Sequence, residues 1–113
     1  MSARAVFSAA TIAFSLAFAH GAAAGGKAEA GKAKAAQVCA ACHGADGAKP
    51  SAPDQPILAG QYHDYLVKAL TDYKSGKRNN AIMKGFAASL SVQDMEDLAA
   101  WFSSQKSSLH FQR

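Results

Sequence analysis

The sequence predicts an all-α fold built on three main helices, and three observations predict it. No run of residues alternates at the two-residue period of a strand. Three stretches instead combine helix-forming residues with apolar side chains at helical spacing. All three prolines fall close together, at Pro50, Pro53 and Pro56, so the irregular backbone is gathered into one loop region.

The first two dozen of the 113 residues read as an address rather than as part of that fold. Arg4 supplies a positive start, and Phe7, Ile12, Phe14, Leu16 and Phe18 punctuate the apolar stretch that follows. Ala22-Ala23-Ala24 fits a small-x-small cleavage pattern, and Ala17-Phe18-Ala19 is a second candidate. A membrane anchor competes with this reading, but a bilayer needs about twenty apolar residues, and Ser8, Thr11 and Ser15 interrupt a shorter run. Residues 1–24 are therefore expected to be a secretory signal peptide, with one domain over residues 25–113 and no membrane span after processing.

Residues 27–39 are rich in Ala with Lys and Glu interspersed and form the first expected helix, after a flexible Gly25-Gly26. Gly44 and Gly47 break it, and residues 44–60 form the proline loop. Residues 61–75 give the second helix, with Tyr65, Leu66, Ala69, Leu70 and Tyr73 on one face. Gly76 ends it, with Lys74, Lys77 and Arg78 near the negative end of its dipole. Ser91 opens the third helix as N-cap with Asp94 three residues on. Val92, Met95, Leu98, Ala99 and Phe102 form its stripe, and the polar residues from Ser103 onward are expected to fray.

The chain's only cysteines lie in Cys39-Ala40-Ala41-Cys42-His43. Two thiols three positions apart with an imidazole directly after the second form the attachment signature of a c-type haem. Both thiols can add across the vinyl groups of one porphyrin, and His43 then lies under the iron as a neutral ligand. A zinc site would want a second Cys or His pair, and a thioredoxin-like pair would sit in a βαβ pattern; neither is present. One motif implies one haem c per chain. Fewer than ninety residues make a marginal core, so folding and haem binding are expected to be coupled. An exported chain carrying haem c is expected in the periplasm.

Candidates for the second axial position are His63, His110, Met83 and Met95. His63 at the start of a helix and His110 in the tail read as solvent-exposed, and Met95 belongs to an apolar stripe. Met83 falls between two helices in a segment without a pattern of its own. A soft thioether there is explained by iron, where it favours the ferrous state and closes the sixth position.

The order Cys39-Ala-Ala-Cys42-His43-Gly44, Pro56-Ile57-Leu58-Ala59-Gly60-Gln61, Gly76-Lys77-Arg78-Asn79-Asn80 with Met83, Leu90-Ser91 and Leu98-Ala99-Ala100-Trp101-Phe102 resembles the class I cytochromes c of bacteria. It is most similar to one half of the diheme cytochrome c4 family and to single-haem c553-like relatives. The resemblance implies that Pro56 lends its carbonyl to the Nδ1 proton of His43. It further implies that Leu58 packs on the haem, Asn80 orients the Met83 segment and Arg78 faces a propionate. Gly31 would let the first helix cross closely under Trp101, where the family usually has Tyr. A second haem domain, present in cytochrome c4, is not part of this sequence.

Two function classes follow. One is a free periplasmic shuttle of single electrons, and the other is a haem subunit docked on a periplasmic dehydrogenase or other redox enzyme. An open-iron enzyme or gas sensor is disfavoured by Met83, so no catalytic residue is expected. A net charge of +4 favours acidic redox partners, such as a respiratory complex, terminal oxidase or dehydrogenase, and falls short of a nucleic-acid footprint. Lys49, Lys77 and Lys84 are the expected basic haem-edge positions.

Overall fold

The computed structural model describes residues 25–108. The signal-peptide expectation for residues 1–24, both cleavage positions and His110 lie outside the described residues. Among those described there is no strand, and the helices run α1 Ala28–Val38, α2 Ala40–His43, α3 His63–Ser75, α4 Ala81–Ala88 and α5 Val92–Ser103. The three expected helices are α1, α3 and α5. The short α2 is the turn that carries the cysteine motif, and Cys39 is at once the C-cap of α1 and the N-cap of α2.

Helix α4 is a departure from expectation, because the sequence around Met83 carries no pattern of its own. Its eight residues bury only Ala87, and Gly85 lowers its intrinsic propensity, so no stripe marks it in the sequence. The helix starts because the Asn80 side chain accepts from the Met83 N–H at 3.0 Å.

Helices α1 and α5 approach each other closely at Gly31. A Cβ on Gly31 would lie 1.9 Å from the Asp97 carbonyl oxygen and 2.9 Å from Trp101 Cβ, so only glycine fits here. The start of α1 has no side-chain cap of its own. The buried Asp97 carboxylate supplies one from α5, accepting the Lys27 N–H at 2.7 Å. The Trp101 indole N–H donates to the Ala45 carbonyl at 3.1 Å, so a donor persists where the family usually carries a hydroxyl.

The core joins α1, α3 and α5 through Ala35, Leu66, Leu90, Met95, Leu98, Ala99 and Phe102. Met95 is buried here, with its sulfur accepting from Thr71 Oγ1. Val92 belongs to the expected stripe but is 75% exposed, since it sits on the first turn, before α5 reaches α3. Helix α5 ends at Ser103, and residues just after it keep contacts with the fold, while residues 109–113 of the tail expected to fray lie outside the described residues. The Gln105 amide donates to the Trp101 carbonyl at 2.9 Å, and Ser107 lies against Gly60.

Gly76 caps α3 in the left-handed conformation (φ 82°). Lys74 does not serve that end of α3, because its ammonium donates to the Leu90 carbonyl before α5. The full capping box at Ser91 and Asp94 opens α5. The Ser91 N–H, its hydroxyl and the Lys34 ammonium at 3.2 Å hold the Asp94 carboxyl below its usual range. A depressed folded-state value gives stability that is present above the unfolded value of about 3.9 and lost as pH falls through the folded value. Asp94→Ala should therefore weaken the protein at neutral pH and flatten the acid limb of its unfolding curve, followed by helical circular dichroism.

Candidate functional site

The motif helix, the proline loop, α3, α4 and α5 surround one cavity of about 480 Å³. Cys39, Cys42, His43, Pro56, Leu58, Arg78, Asn80 and Met83 all line it. Among the charged or titratable groups of the described residues, only Asp54 and Arg78 join the motif and two tyrosines in its wall. Leu66, Leu70, Phe86, Leu98 and Phe102 make the rest largely apolar.

His43 is buried, and its Nδ1 lies 2.9 Å from the Pro56 carbonyl. A carbonyl only accepts, so Nδ1 carries the proton and the Nε2 lone pair is left for a metal. Burial, with a smaller contribution from Cys42, pushes the Cys39 thiol up to about 11. Such surroundings oppose a thiolate and suit a neutral thioether. No cluster of three or more His, Cys, Asp or Glu among the described residues could hold a metal ion by itself. Paired sulfurs on one helical turn, a fixed imidazole tautomer and an apolar cavity of ligand size together fit haem c.

Met83 is half-buried on the first turn of α4, with its backbone pinned by Asn80. The other candidates fall elsewhere. Met95 is in the core outside the cavity wall. His63 is corrected from solvent-exposed to partly buried between α3 and α5: its Nδ1 is 3.2 Å from Asp64, and its Nε2 faces Glu96 at 3.1 Å without hydrogen-bond alignment.

Arg78 donates to the Tyr65 hydroxyl at 3.2 Å, and its guanidinium stacks 4.9 Å from the Tyr73 ring centre. The Tyr65 bond is the main reason its basicity rises above the ordinary arginine value. The sequence puts both tyrosines on one helical face, and nothing local connects them to Arg78. Their eight-residue spacing, two turns of α3, was the available signal. The Lys84 ammonium lies over Gly76, the residue before Lys77, whereas Lys49 lies in a separate groove with Lys32 and Trp101.

The family model for cytochrome c matches residues 28–106. The chain belongs to the cytochrome c family. Haem c, covalently attached at Cys39 and Cys42, is accordingly its cofactor, and class I cytochrome c is its fold. Cytochrome c4 of Pseudomonas aeruginosa is 56% identical over 86 residues, covering 76% of this chain and 42% of that protein. The crystal structure of reduced recombinant cytochrome c4 from Pseudomonas stutzeri matches with a TM-score of 0.67 and 48% identity, covering 74% of this chain and 48% of that one. A thiosulfate dehydrogenase electron acceptor of Stutzerimonas stutzeri is 47% identical over 66 residues, covering 58% of this chain and 31% of that protein. This cytochrome c thus spans about half the length of the cytochrome c4 proteins it matches, or less. No helix among the described residues is long and apolar enough to cross a membrane.

Proposed function

We propose that this cytochrome c is a periplasmic carrier of single electrons, exported by residues 1–24 and ligating its haem iron through His43 and Met83. The observation that carries this reading is the shared cavity of Cys39, Cys42, His43 and Met83, with His43 held in the tautomer a ligand requires. When bound, the haem supplies a one-electron ferric/ferrous couple. The chain's residues do the rest. Pro56 aims the imidazole, and Asn80 holds the backbone from which Met83 presents its thioether. Leu58, Leu98 and Phe102 exclude water, and Arg78, braced by Tyr65 and Tyr73, is placed to neutralise a propionate. A carrier of this kind needs no catalytic residue.

The electron acceptor of thiosulfate dehydrogenase among the relatives supports a dehydrogenase as donor; a respiratory complex or terminal oxidase is the acceptor this reading proposes. The alternative is a haem subunit docked permanently on such an enzyme. Purification from periplasm separates the two. A carrier should emerge alone, with an intact mass showing cleavage near Ala24 plus one haem, and an unmodified mature mass overturns the reading. A stoichiometric enzyme partner at moderate salt favours the subunit.

The exposed Lys49, Lys77 and Lys84 give a carrier a basic surface. Electron transfer to an acidic acceptor should slow as salt rises from about 10 mM to 150 mM, over which the screening length falls from roughly 30 Å to 8 Å. Combined Lys49→Glu, Lys77→Glu and Lys84→Glu should slow it at low salt and leave the potential nearly unchanged. A rate indifferent to both removes electrostatic docking.

A further inference from the structure

The geometry points to Gln55 as a positioning residue that sets the electron-donating strength of His43 through the Pro56 carbonyl. The Gln55 side-chain oxygen accepts from Ser51 N–H at 3.0 Å, Ser51 Oγ–H at 2.9 Å and Ala52 N–H at 3.0 Å. Ser51 N–H is shared with the Cys42 carbonyl at 2.9 Å, so the knot is tied to the motif helix itself. The next residue is Pro56, whose carbonyl accepts from His43 Nδ1. The hydrogen bonds therefore close a ring through Cys42, Ser51, Gln55, Pro56 and His43. Beyond Pro56, two backbone bonds from Leu58 and Ala59 to the Gly47 carbonyl anchor the chain. Before it, one backbone bond from Gln55 N–H to the Ala52 carbonyl at 3.1 Å stands beside the three donors that the Gln55 side chain gathers.

A firm bond from Nδ1–H to a carbonyl makes the imidazole more basic at Nε2, which stabilises ferric iron and lowers the reduction potential. Loosening the knot lets the carbonyl wander and weakens that bond, so the potential should rise. General loosening has the opposite sign, because water entering the site favours the more charged ferric form. The direction of the shift therefore distinguishes positioning from mere loop support.

This inference rests on His43 as an iron ligand, which hyperfine-shifted His43 ring resonances of the oxidised parent holoprotein establish on their own. If the parent lacks these signatures, the ligand reading falls and this inference with it. Given the signatures, Gln55→Met should shift the ferric/ferrous balance about threefold toward ferrous, about 28 mV at 59 mV per tenfold, and speed solvent exchange of the Nδ1 proton. Gln55→Glu keeps an acceptor at the same reach and should restore slow exchange, with a potential no higher than the parent's. Ser51→Ala deletes one donor and should shift both readouts in the Gln55→Met direction by less, which keeps the test available if Gln55→Met yields no holoprotein. A lowered or unchanged potential with unchanged exchange in Gln55→Met, or in Ser51→Ala where it substitutes, leaves the ligand reading intact and overturns the role of Gln55.

Discussion

Met83→Ala should convert a closed, six-coordinate haem into one that takes up cyanide or carbon monoxide readily. The variant keeps Asn80 and the α4 backbone, so the loss is confined to the thioether. Removing a soft neutral ligand withdraws its preference for ferrous iron, and the potential should fall by on the order of 0.1 V, well inside the roughly 0.8 V range that axial ligands command. The near-infrared charge-transfer band of the oxidised protein should disappear with it. Met95→Ala supplies the contrast: its sulfur lies in the core beside Thr71, so it should cost stability and leave the band in place. If Met95→Ala abolishes the band and Met83→Ala does not, the axial assignment passes to Met95. Asn80→Ala should be intermediate, losing a helix cap worth about 1 kcal/mol and leaving Met83 less firmly held.

Gly31→Ala should be among the most damaging single-methyl additions in the described chain. Alanine in an exposed helix interior is ordinarily better than glycine by about 1 kcal/mol. Here the new Cβ would sit 1.9 Å from a backbone carbonyl oxygen of α5, which no rotamer change relieves. Overpacking of this severity costs about 3 kcal/mol, so the net loss is about 2 kcal/mol. For a domain of this size that lowers the melting temperature by roughly 8 to 16 °C. Gly85→Ala in α4 meets nothing within 4 Å and should instead raise stability by a few tenths to about 1 kcal/mol. Calorimetry of the two holoproteins should give shifts of opposite sign. A neutral Gly31→Ala would mean that α1 and α5 can separate at little cost.

How much of this was legible in the sequence depends on whether the information was local. Helices α1, α3 and α5 announce themselves because stripe, cap and terminating glycine all lie within one element. Gly76 in the left-handed conformation and the Ser91–Asp94 box are local chemistry of that kind. Helix α4 is silent because it is two turns long and buries one alanine. What Asp97 does for Lys27, Lys74 for Leu90 and Arg78 for Tyr65 depends on tertiary distance, which no periodicity encodes. His63 failed for the same reason, since a polar position at a helix start becomes partly buried once Glu96 of α5 arrives. At the site, the motif residues could be named from spacing, and Pro56, Leu58, Arg78 and Asn80 from resemblance. Gln55 could not be, because a glutamine in a proline-rich loop carries no pattern until its three donors fold around it.

The pairing of α1 with α5 also constrains the order of events in a chain delivered from its N-terminus. The Lys27–Asp97 bond spans 70 positions, and the contacts of Gly31 are with the same distant helix. Closure over such a span carries a large entropic cost before any contact is made. The first helix to emerge must therefore wait for the last one. During that wait the intervening segment, including both cysteines, stays open to whatever machinery or cofactor can reach it. Late closure thus leaves an interval for covalent assembly that a fold completed from its N-terminal end would have shut.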